Sequence, residues 1–273
     1  MAFDLSLHIQ PLTAKTALPV AMFGTRANRL SQLGLGGAAV PMGMVLSTDL
    51  VRAIPDMGPA DDAALLAALS PVLAAGHSVA ARASAGDIAW GGPPAVLNIG
   101  VIAARTGSFS AGIRLRALTE IATVTAGLDA EDFHPLTAAH SGDQLVDAAL
   151  SLFEEETGHA FPLDAGAQLL AVIRAMITDW MRPSARILRQ AKGAPEDAGL
   201  AIIVQSMAPD AIGGEAQAVD EQTGQQSMSG HFRLASDATR TAQPIGDLPQ
   251  PMHLALAEDV GRASVVLGDA ARV

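Results

Sequence analysis

No cysteine and no tyrosine occur among the 273 residues, and lysine occurs only at Lys15 and Lys192. The absence of cysteine removes disulfides, thiolate metal sites and sulfur nucleophiles together. Aromatic residues make up only 3% of the chain, so surfaces that stack bases or sugars are not expected. Positive charge is scarce too: 17 Lys and Arg stand against 28 Asp and Glu, for a net charge of −11. A nucleic-acid binder needs surplus cations to displace counterions from phosphates, so no nucleic-acid partner is expected. With so little lysine, phosphate contacts are expected to fall to arginine. Long apolar runs are missing as well, none reaching the about 18 residues of a membrane-spanning helix. The N-terminal residues lack the basic-then-apolar pattern of a secretion signal. A cytoplasmic chain without a membrane partner is therefore expected.

What is present is abundant core material, with 49% of residues hydrophobic. Residues 20–48 predict a helix and then a strand: Arg26, Leu30 and Leu33 recur at helical spacing, and Gly34 to Gly37 ends the helix. Asp61 is expected to cap a further helix, with Leu65, Leu66 and Leu69 on its apolar face and Pro71 stopping or kinking it. Ser78 to Arg82 predicts a buried strand ending on arginine. A glycine- and proline-rich loop follows, Gly86 to Pro94, and then a second strand at Val96 to Val101. From about 106 to 190 the period is helical, with Asp164 as a cap. Leu200 to Met207 is rich in β-branched residues and predicts a central strand. Residues 214–220 and 227–234 flank a hairpin turn at Gln222-Thr223-Gly224. The fold class is thus α+β: a first lobe over 1–105, a helical insertion over 106–190 and a strand-rich second lobe over 191–273, in one continuous unit.

No metal constellation is visible, the seven histidines being scattered along the chain. Neither a serine-hydrolase elbow nor a phosphate-binding Gly-Lys-Ser/Thr loop occurs. What remains is arginine beside glycine. Arg26 follows Gly24, Arg82 precedes the loop holding Gly91 and Gly92, and Arg240 lies in Thr239 to Ile245. A guanidinium is planar, stays charged and can bond two phosphate oxygens at once. Glycines let backbone N–H groups approach a polyphosphate. Each feature alone is also what a solvated helix residue, a structural ion pair or a plain turn would show.

Taken together, these segments resemble the N-terminal nucleotide-binding domain of pyruvate phosphate dikinase and phosphoenolpyruvate synthase. Gly24 to Leu30, running on to Val40-Pro41-Met42-Gly43, is similar to that family's opening, with Arg26 on its lysine position. Val79 to Ala85 resembles its strand ending in Arg-Ser, and Val96-Leu97-Asn98-Ile99-Gly100 its Val-Leu-Asn-Leu-Gly. Gln168 through Trp180, Pro183, Ala185 and Arg189 looks like the helix before the central strand, and Ala201 to Met207 like the strand and hinge that hold adenine. Arg240 to Ile245 is similar to Arg-Thr-Pro-Gln-Pro-Ile. The matches are collinear and cover roughly 20–105 and 160–250.

The resemblance implies an ATP-grasp-like, two-lobed domain with ATP as cofactor and phosphotransferase (kinase) activity. It places Arg26, Arg82, Gly91 and Gly92 at the ATP phosphates, Gln205 and Met207 at adenine, and Arg240 as the catalytic residue near the transferred phosphoryl group. The expected partners are ATP or another phosphate-bearing small molecule and a separate phospho-acceptor protein, since no phosphohistidine or pyruvate domain is present. The family also implies magnesium, but its Gly-Glu-Phe motif reads Gly230-His231-Phe232 here, and magnesium prefers oxygen to imidazole. Pro93 and Pro94 stand in the phosphate loop without an N–H to offer. These departures leave an alternative: a non-catalytic module that binds a nucleotide or anion, or serves only in interactions.

Overall fold

The fold is described from a computed structural model covering residues 4–75, 78–102, 109–207, 213–219, 223, 225–233, 243–248 and 250–258. Helix α1 (Leu5–His8) and strand β1 (Ile9–Pro11) lead into α2 (Val20–Leu35), β2 (Gly43–Leu46), α3 (Thr48–Ala53) and α4 (Pro59–Ala75). Strands β3 (Ser78–Ala85) and β4 (Val96–Ile99) follow, then five helices: α5 (Ala111–Ala126), α6 (His134–Ala139), α7 (Gly142–Thr157), α8 (Ala165–Met181) and α9 (Pro183–Ala191). The chain returns to β-structure with β5 (Leu200–Met207), β6 (Gly213–Val219), β7 (Gln226–Arg233) and β8 (Gln243–Pro244). The class is α+β, and the helical block and late hairpin fall where the sequence periods put them.

Five strands form one antiparallel sheet in the order β1-β2-β5-β3-β4. Its centre is β5, paired with β2 over Ile202–Gln205 and with β3 along its whole length. Strand β5, which follows the helical block, thus pairs with strands that precede it. Six residues of β5, Leu200 to Gln205, are buried, because the strand has a neighbour on each edge and side chains packed on both faces. A second sheet, β6-β7-β8, has its own small core of Phe232, Ile245 and Leu248.

The two faces of the first sheet bury different helices. On one face Ile202 and Val204 join the main core with α4, α5, α7 and α8, where Leu169, Ile173, Met176 and Trp180 form the expected apolar stripe. On the other, Val45, Ala201 and Ile203 pack on Phe23 and Ala27 of α2. Asp164 caps α8 as expected, its carboxylate accepting the Ala167 N–H at 2.8 Å. Two local expectations are corrected. Helix α4 starts at Pro59, two residues before Asp61, whose carboxylate nonetheless accepts the Gly58 N–H at 3.2 Å at the helix start, and it does not stop at Pro71 but runs on to Ala75. Pro71 cannot donate to the Ala67 carbonyl one turn back, but the Ser70 hydroxyl does so at 2.7 Å. Strand β3 also runs three residues beyond Arg82, to Ala85, because β5 pairs with it that far. Among the described residues, no helix is long and apolar enough to cross a membrane.

Candidate functional site

The site grows from the junction of α2 with β3. Helix α2 is broken at Gly24, whose φ of 75° and ψ of 167° are open essentially to glycine alone. A Cβ there would lie 2.1 Å from the Ser84 carbonyl oxygen, so the backbones touch. The helical turn that restarts after Gly24 lacks a capping side chain of its own. Ser84, on β3, supplies one: its hydroxyl accepts the Ala27 N–H at 3.1 Å and donates to the Phe23 carbonyl at 2.8 Å. Thr25 Oγ1 donates to the Gly86 carbonyl in the same junction.

This docking fixes Arg26. Strand β4 pairs with β3 only as far as Ala81, leaving the far end of that edge open. Arg26 Nη1 takes the Ala83 carbonyl on the open edge at 2.7 Å. The rest of its exposed guanidinium lines a cavity of about 240 Å³ with Gly91, Gly92, Pro93, Asp87 and Ile88. The loop is shaped by a short 3-10 turn, Ile88–Trp90, which Asp87 caps through Ala89 N–H at 2.8 Å. Gly91 ends the turn with a φ of 77°, and a side chain on Gly92 would press on the Ala83 methyl at 3.2 Å. Trp90 packs over Gly86 and the main core, and Pro93 is buried. Neither closes the cavity beside Arg26.

Arg82 does not line this cavity but lies close behind it. Its side chain shares a sheet face with Ser84, Ile203 and Gln205, as the register pairs Arg82 with Ile203 and Ala80 with Gln205. Burial, and then the positive charge of Arg26, lowers its proton affinity below that of an ordinary guanidinium. Its Nε is sealed from solvent without a hydrogen-bond partner. Among the described residues, neither Arg26 nor Arg82 has an ion pair. Two adjacent cations without a carboxylate clamp lower their mutual repulsion when an anion arrives.

A third cation was missed by the sequence reasoning. Lys192, at the C-terminus of α9, places Nζ 3.8 Å from where a Cβ on Gly91 would stand. The loop thus has a lysine beside it as well as arginine. No local pattern around Lys192 marks it, because only the packing of α9 against the loop brings it there.

The expected adenine residues stand apart from the cavity. Gln205 is buried and its amide donates to the Pro41 carbonyl at 3.2 Å, while the Met207 sulfur accepts the Asn98 N–H at 3.3 Å. Arg240 lies outside the described residues. His231 is exposed on β7, in register with Glu215 and Pro244. Glu131 and His134 have Glu-x-x-His spacing, and Nδ1 sits 2.9 Å from the carboxylate, but both are exposed. Among the described residues, no group of three or more metal-ligating side chains gathers. Compared with known proteins, the chain matches no family model and no curated protein.

Proposed function

We propose that this chain is an ATP-grasp-like nucleotide-binding domain that seats the phosphates of ATP in the cavity beside Arg26. Arg26 and the backbone of Gly91 and Gly92 contact the phosphates directly. Arg82 and Lys192 add positive field from behind and beside the loop. The observation that carries this reading is the juxtaposition of Arg26, Arg82 and Lys192 around a glycine loop in a protein of net charge −11, with Arg82 Nε left unpartnered. An acidic protein holds few such places, and this one has the geometry of anion recognition. Bound ATP would supply an activated phosphoryl group. The resemblance to pyruvate phosphate dikinase attaches phosphotransferase activity to the domain, with Arg240 near the transferred group.

A second reading is binding without turnover, as a regulatory or interaction module. It is favoured by the exposed His231 on β7, at the position where the resemblance expects a magnesium-holding glutamate. The described carboxylates fit magnesium poorly, since Asp87, the one acid in the cavity, already caps a turn.

Thermal unfolding with and without ATP and magnesium tests the binding claim. At about 100 times its Kd, a ligand of the native state adds about 2.7 kcal/mol, which raises Tm by about 5 °C or more in a chain of this size. No shift with either form of ATP removes both readings. ATP consumption that Arg240→Ala abolishes favours transfer, whereas stabilisation without consumption favours the binding module.

A further inference from the structure

A second cavity, of about 170 Å³, lies between α3, α8, α9 and the start of β5 and shares no lining residue with the first. Its walls are largely apolar, with Val51, Ile177, Leu200 and the Trp180 ring among them. Into this apolar space projects a cation. Arg189 is 3% exposed, and its guanidinium carbon stacks 4.0 Å from the centre of the Trp180 ring. Of its five N–H groups, one is accounted for: Nη1 donates to the Trp180 carbonyl at 2.6 Å. Its Nε is sealed from solvent without a partner. Among the described residues, no carboxylate pairs with it. The two acids on the cavity rim, Glu196 and Asp197, do not reach it: Glu196 is held by Arg186. Arg52, also on the rim, lies 4.0 Å from Asp49 and gives a long bond to the Asp197 carbonyl.

One bond donated to the Trp180 carbonyl explains how Arg189 pins α9 onto α8. It does not explain a nearly buried guanidinium that lines a cavity, stacks on an indole and leaves its Nε without a partner. A buried charge is costly unless it is paired and hydrogen-bonded. The arrangement has the form of a small-ligand site: an apolar pocket with one convergent charged group.

We infer that this cavity binds a small monocarboxylate with a compact apolar body, its carboxylate on the free edge of Arg189 and its body against Trp180, Ile177 and Val51. The size follows from the volume, since a cavity of about 150 Å³ holds a benzene ring. The single charge follows from the one guanidinium inside: of the other cations lining the cavity, Arg186 is paired with Glu196 and Arg52 lies against Asp49, which leaves Arg189 to meet the anion. Burial and the nearby Arg186 lower the proton affinity of Arg189, but a guanidinium remains charged at neutral pH. The site is separate from the Arg26 cavity and does not depend on nucleotide binding there.

The two tryptophans give a direct readout. The Trp180 indole N–H donates to the Ala198 carbonyl at 3.2 Å, and Ala198 also lines the cavity. Trp90 lines neither cavity but belongs to the turn that shapes the loop of the other site. Benzoate is titrated into the full-length protein, labelled with nitrogen-15, beside benzamide, a neutral molecule of nearly the same shape. The indole resonances are assigned with Trp90→Phe. The expected result is a saturable shift of the Trp180 signal by about 10 mM benzoate, the affinity scale of fragments. Trp90 should not move, and benzamide should bind at least tenfold more weakly. Arg189→Met should abolish the shift. Since that variant also loses the tie to Trp180, Val51→Phe is tested beside it, filling the cavity while leaving Arg189 in place, and should abolish the shift too. No movement of Trp180 with benzoate, equal binding of benzamide, or retained binding in a folded Val51→Phe protein each overturns the assignment.

Discussion

Single residues decide whether the Arg26 cavity exists. Gly24 allows α2 to break and restart against β3, and Ser84 caps the restarted turn from 57 residues away in sequence. That turn carries Arg26 to the open edge of β3. Gly24→Ala places a methyl into the Ser84 carbonyl and forces a backbone conformation nearly closed to other residues. We expect it to cost about 3 kcal/mol or more, read as a fall in the urea midpoint without a change in slope. Nucleotide binding should fall with it. A loss below about 1 kcal/mol would contradict the geometry at this junction. The sequence showed Gly24 beside Arg26 and Arg82 before the glycine loop. It did not show Ser84 as a cap, because a capping side chain is ordinarily sought next to its helix. Nor did it show that Arg82 lies behind the cavity, since β3 was expected to end at that residue.

At the scale of elements, the strongest local patterns were the most legible. The β-branched run at Leu200 to Met207 became the central strand, and the 3.6-residue period of Leu169 to Trp180 became α8. What periodicity cannot carry is which elements meet. Lys192 reaches Gly91 only because α9 packs beside the loop, and β5 joins the first sheet although a hundred residues separate it from β4. Gln168 is one device that fastens these pieces. It is fully buried on α8, accepts the Gly100 N–H at 2.9 Å and donates to the Pro162 carbonyl at 2.9 Å. Gln168→Leu keeps the volume but strands both backbone groups. Each buried, unpaired group costs about 1–3 kcal/mol, so the variant should unfold at clearly lower urea. Stability equal to the parent would show that Gln168 does not tie the end of β4 to α8.

Over the whole molecule, charge separates what this chain does from what it does not. A net −11 works against broad polyanion binding, and nucleic acid is still not expected. The scarcity of lysine gains a meaning in the fold: one of the two lysines stands at the glycine loop, beside an arginine pair that, among the described residues, forms no ion pair. Gln205 and Met207, which the resemblance assigns to adenine, are engaged within the fold by Pro41 and Asn98, contacts that only the packing of β5 reveals.

The most direct test is calorimetric titration of ATP, and separately of inorganic triphosphate, into the parent protein and Arg26→Met, each confirmed as folded by its unfolding transition. Both ligands should bind the parent. Both should weaken by about 10- to 100-fold in the variant, the loss that a charged hydrogen bond of about 1.5–3 kcal/mol implies. Equal affinity in the two proteins, or no heat with either ligand, would contradict a phosphate site at Arg26.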